Sequence, residues 1–95
     1  LQRWPDSHVA AVGQGNAWLA LGEPAAAAVA FERAAQAHDS AVAWNNLAVA
    51  RARAGDTKGA ADAAQRALQR AQTHEASLLT AVQDTVAKLQ RGQTP

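Results

Sequence analysis

The sequence predicts an all-α fold of antiparallel helix-turn-helix repeats, about two repeats plus a C-terminal capping helix, and three observations lead there. Alanine fills 27 of the 95 positions, while Tyr, Met and Cys are absent and Phe occurs once. Alanine is the best helix former and lets backbones approach closely, whereas the β-branched and aromatic residues that strands favour are few. A pattern of helix starts and stops then recurs at an offset of 33 residues: Asp6-Ser7-x-Val9-Ala10 falls on Asp39-Ser40-x-Val42-Ala43, and Gly22 falls on Gly55. Finally, residues 74–90 carry a one-sided apolar stripe of Leu78, Val82, Val86 and Leu89, which suits a last helix with no partner after it.

Each element follows from its punctuation. In residues 1–7, Leu1 and Trp4 are apolar and Pro5 cannot continue a helix, so this stretch reads as the end of a preceding repeat or a linker. The first repeat spans 8–40. Asp6-Ser7 offers an N-cap for a helix from His8 to about Leu21, and Gly22 stops it. Glu23-Pro24 restarts the chain with proline at the first helical position, and this helix continues to about Ala37.

The second repeat spans 41–73, with Ser40 as cap, a helix over Ala41–Ala54, a Gly55-Asp56 turn and a helix from Thr57 to about Ala71. Ala27, Ala28, Ala30, Arg33 and Ala34 of the first repeat align with Ala60, Ala61, Ala63, Arg66 and Ala67 of the second. One further period from Ser40 lands on Thr73, the expected N-cap of a capping helix over 74–91, whose Gln83, Asp84, Lys88 and Gln90 form its wet side. Residues 92–95 are a tail.

Composition narrows the partners. The formal net charge is +1 and the basic residues are interspersed with acidic ones, so no phosphate-binding patch forms and nucleic acid is not expected. With no cysteine there is no disulfide, thiolate metal site or thiol nucleophile within these residues. No apolar run approaches the roughly 20 residues of a membrane span, and no signal-peptide pattern opens the chain. The expectation is a soluble domain, cytoplasmic or periplasmic, without membrane insertion and without a cofactor. Leu1 in place of an initiator Met suggests an excised piece of a longer protein.

A helix-turn-helix unit of this period, with small residues at fixed places, resembles the tetratricopeptide repeat, whose signature is W-x2-L-G-x2-Y, then A-x3-F, then P. The second repeat carries Trp44-x2-Leu47-Ala48, then Ala60 and Ala67, and departs at Arg51, Ala64 and Gln72. The first carries Gly15-x2-Trp18, then Ala27-x3-Phe31 and Ala34, and departs at Ala11 and Gln14. In this register Gly15, Ala48 and Ala81 sit where helices cross, and Trp18, Phe31 and Trp44 fill the gaps between layers. More narrowly, Arg3-Trp4-Pro5-Asp6-Ser7, Gly15-Asn16 and Ala43-Trp44-Asn45-Asn46-Leu47-Ala48 look like the C-terminal tails of some bacterial C39-like cysteine peptidase proteins of papain fold. That resemblance implies a catalytic domain upstream and none of its residues here.

The tetratricopeptide resemblance implies a protein or peptide partner bound on a concave face lined by the first helix of each pair. The residues expected there are Val9, Val12, Asn16, Leu19, Val42, Asn45, Val49 and Arg53, with Leu79 and Gln83 of the last helix. Asn16 and Asn46 match two asparagines with which chaperone-binding members hold a peptide carboxylate. The matching cation positions are Val12, Glu75 and Leu79, so that clamp is not expected. Solvated side chains are expected for Arg51 and Arg53, and surface positions for His8, His38 and His74. Ser7-His8 and Asp39-Ser40 read as helix caps rather than catalytic groups, because a triad needs convergence on a cleft with an oxyanion hole. The leading expectation is a non-catalytic interaction module; the rival is a structural spacer that self-associates through its N-terminal edge.

Overall fold

The computed structural model describes residues 8–73 and 75–95. Among them, five α-helices follow one another: α1 (His8–Ala20), α2 (Pro24–Ala37), α3 (Ala41–Arg53), α4 (Thr57–Thr73) and, after a 3₁₀ turn over Ala76–Leu78, α5 (Leu79–Gln90). Each packs mainly on its neighbours in the chain, giving two helical hairpins and a closing helix. The body measures 48 × 31 × 18 Å, and its thin dimension is close to two helices of about 10 Å diameter.

The repeat is visible in the backbone hydrogen bonds. At the end of α1, Gly22 takes φ 77°, Glu23 donates its N–H to the Trp18 carbonyl at 2.8 Å and Gly22 donates to Leu19 at 3.0 Å. After α3, Gly55 (φ 90°) and Asp56 make the same pair of bonds to Ala52 and Arg51 at 3.0 and 2.8 Å. These turns satisfy the last carbonyls through a left-handed residue, a conformation glycine adopts without a Cβ clash. The motif appears a third time at Gly92, but 37 residues after Gly55 rather than 33. The last helix therefore runs one turn late.

That delay corrects two expectations. Thr73 is not the cap of the final helix: α4 runs through it, and its hydroxyl donates back to the Gln69 carbonyl at 2.7 Å, as a threonine inside a helix can. Ala81 does not occupy the crossing point held by Gly15 and Ala48; it is exposed, while Val82 and Thr85 are buried. Thr85 lies 37 residues after Ala48, so it takes the crossing position in the delayed register. The expected cap at Asp6-Ser7, the residues around Pro5 and His74 lie outside the described residues.

Seventeen of the described hydrophobic residues are buried, and all but Phe31, Leu47 and Val82 are alanine. Cohesion therefore comes from backbone proximity rather than from interdigitated large side chains. Phe31 is fully buried, and its ring lies on the bare backbone of α1: a Cβ built on Gly15 would fall 2.4–2.6 Å from three of the ring carbons. One repeat later the same two positions are Ala48 and Ala64, so the volume is shared differently between the facing helices. Ala27, Leu47 and Ala60 are also fully buried, and Trp44 is half-buried against all three core clusters.

Trp18 differs from its expected role, since 42% of it is exposed. Arg51 holds the matching place on α3, and its contacts explain why. Its guanidinium donates to the Gly59 carbonyl of α4 at 3.2 Å and meets Glu32 of the preceding α2 at 3.6 Å. Arg51 is thus a half-buried bridge across three helices rather than a solvated side chain. For Trp18, by contrast, α1 is the first described helix, with no earlier one to supply such partners.

Candidate functional site

The N-terminal parts of α1 and α3, each the first helix of its hairpin, face one opening next to the α2–α3 connection. Between them opens a groove of about 350 Å³ whose walls are Val9 and Val12 of α1 and Val42 and Ala43 of α3. His38, Ser40 and Glu75 complete it. Val9 is 68% exposed and Val42 41%, and the two come from equivalent positions of the two repeats.

Local structure fixes the polar end of this groove. Ser40 is extended (φ −123°, ψ 157°) and its hydroxyl oxygen accepts the Ala43 N–H at 3.2 Å, capping α3 as its sequence position predicts. Glu75, from the break between α4 and the 3₁₀ turn, accepts the Ala41 N–H at 2.8 Å. Two of the unpaired N–H groups that open α3 are thereby satisfied, one from 34 residues away. The negative carboxylate also sits favourably at the positive end of the helix.

Next to the groove, Asp39 ties the α2–α3 connection to α4. It accepts the Trp44 indole N–H and an N–H from Arg70 at 3.1 Å, while the Arg66 guanidinium stands 5.0 Å from the Trp44 ring centre. The indole hydrogen bond is the largest influence on the Asp39 carboxyl; desolvation opposes it, and with the help of Arg70 and Arg66 the bond holds the group below its ordinary pKa.

Of the face expected from the sequence, Val9, Val12 and Val42 come together in the groove. The other residues do not line it. Leu19 packs into the central core cluster, Asn16 is exposed, and Asn45 and Val49 are half-buried. The Asn45 side-chain oxygen is buried without a hydrogen-bond partner among the described residues. Arg53 is exposed and donates to the main-chain oxygen of Pro95 at 3.4 Å. Sequence reasoning did not place His38, Ser40 or Ala43 on this surface, and it met Glu75 only as a position of the carboxylate clamp it set aside; Glu75 lies 33 residues after Val42.

A second, smaller apolar notch of about 130 Å³ lies between α4 and α5, walled chiefly by Ala61, Ala64, Val86 and Leu89. Among the described residues, no group of three or more His, Cys, Asp or Glu side chains is placed to hold a metal ion. No described helix is long and apolar enough to cross a membrane. Compared with known proteins, the chain matches no family model and no curated protein sequence.

Proposed function

We propose that this chain is a non-catalytic, tetratricopeptide-like interaction module that binds a peptide or partner protein in the α1–α3 groove, as an accessory part of a larger bacterial protein. The observation that carries the reading is the groove itself, in which exposed valines from two repeat-related helices face one opening. Its size is at the small end of ligand pockets, which run to about 300–1,000 Å³, so it suits a short segment rather than a whole helix. Ser40 and Asp39 are engaged as a helix cap and an ion pair, which supports a structural role for both. The weaker peptidase resemblance would place such a module downstream of a catalytic domain. The test is selection of binding peptides from a random display library, followed by binding of the selected peptides to Val42→Asp. Binders that lose affinity for Val42→Asp support the groove; binders indifferent to it count against it.

A second reading is favoured by a separate observation. Leu21, Val29 and Trp18 of the first hairpin are 71, 62 and 42% exposed, an apolar excess that the second hairpin lacks apart from Val42. We infer from it a structural alternative in which this edge stacks on a second copy. Static light scattering at rising concentration separates the two, since a strict monomer rejects the stacking.

A further inference from the structure

We propose that the α1–α3 groove selects an extended peptide in which aliphatic side chains stand beside a lysine or arginine, the cation meeting Glu75. The inference rests on the groove being the binding face and adds the chemistry of its occupant. Its walls, Val9, Val12 and Val42, are aliphatic and offer no hydrogen bonds, so they favour apolar side chains of similar size. The ionisable residues that line it are His38 and Glu75, and no described lysine or arginine does. Glu75 is thus the acidic group of the described lining.

Glu75 is held in place rather than neutralised. One carboxylate oxygen accepts the Ala41 N–H, which fixes the group at the rim. A carboxylate has two oxygens and about four acceptor sites, so capacity for a further donor remains. Among the described residues no ion pair involves Glu75. The neighbouring cations, Arg70 and Arg66, face Asp39 and the Trp44 ring instead. An ammonium or guanidinium group on the ligand would find an opposite charge already positioned, whereas a carboxylate or phosphate would meet a like charge. Side chains two apart in an extended peptide point the same way, so valines and a lysine at alternate positions reach the floor and the rim together.

The test uses the 95-residue chain and a fluorescein-labelled, end-blocked peptide with the core Val-Ser-Val-Ser-Lys, read by fluorescence anisotropy. The same peptide is made with acetyl-lysine and with glutamate in place of lysine. The lysine form should bind about three- to fivefold more tightly than the acetyl-lysine form, the size of a part-exposed ion pair, and the glutamate form should bind most weakly. Glu75→Gln keeps an oxygen for the Ala41 N–H and should make the three peptides equivalent; its melting curve checks that it stays folded. Equal binding of all three to the unaltered chain, lost in Val42→Asp, overturns the charge selection and leaves the groove reading standing. Binding of none of the peptides, or binding insensitive to Val42→Asp, overturns both.

Discussion

Replacing Gly15 by alanine sets two effects of opposite sign against each other. Alanine in a helix interior is favoured over glycine by about 0.8–1.0 kcal/mol, so propensity alone predicts a gain. Against this, the new methyl would lie 2.4–2.6 Å from three Phe31 ring carbons, where ordinary carbon contacts are about 3.5–4.0 Å. The ring is fully buried and has no solvent to swing into, so α1 and α2 must separate. A separation of about 1 Å already forfeits roughly a half of the dispersion attraction between the atoms drawn apart. Overpacking of this kind costs about 1–3 kcal/mol, and the upper part of that range applies where a rigid ring cannot move aside. A net loss of about 1–2 kcal/mol follows, which in a domain of this size lowers Tm by about 5–15 °C.

Thermal and urea denaturation followed by circular dichroism would measure it. Phe31→Ala alone should cost about 3–5 kcal/mol, but the double variant Gly15→Ala/Phe31→Ala recreates the Ala48/Ala64 pair of the next repeat. It should therefore be less destabilised than the sum by at least about 1 kcal/mol. A higher Tm for Gly15→Ala, or strict additivity in the double variant, would refute a tight contact between the Phe31 ring and the α1 backbone.

Two further outcomes follow from the polar junction. Ser40→Ala should lower stability by about 1 kcal/mol in urea denaturation through loss of the α3 cap, and no change would mean that Glu75 alone suffices there. The folded pKa of Asp39 lies below its unfolded one, so its stabilising contribution is present above about pH 4 and fades as pH falls through the lower folded value. Its side chain is 53% exposed, so that contribution is under about 1 kcal/mol. Asp39→Asn should flatten the dependence of stability on pH between about 2 and 5; an unchanged profile would mean that the Trp44 and Arg70 contacts of Asp39 add nothing to stability.

Helix starts and stops were legible because their chemistry is local. Gly22 and Gly55 supply left-handed turns, Pro24 opens α2, and Ser40 bonds within its own first turn. The last third was harder to read for a physical reason. The stripe Leu78, Val82, Val86 and Leu89 shows which face of α5 is apolar, but a slide of one turn keeps the same face, so periodicity could not reveal the delay that exposes Ala81 and buries Thr85. Within the candidate site, the valines were visible as repeat-related positions. The bond from Ala41 to Glu75 was not, since a cap supplied from 34 residues away exists only once the hairpins have packed. Arg51 looked like an aromatic position gone polar, yet its bridge needs Glu32 and Gly59 from two other helices.

The one-turn delay of α5 has a consequence for growth of the stack. In its register Asp84 and Lys88 stand where α3 has Leu47 and Arg51, and they pair with each other at 3.2 Å on an exposed face. Another helix laid there would have to strip water from both charges without the carbonyl and carboxylate that receive Arg51. The outer face of α5 thus resists burial through the solvation of its charges rather than through bulk.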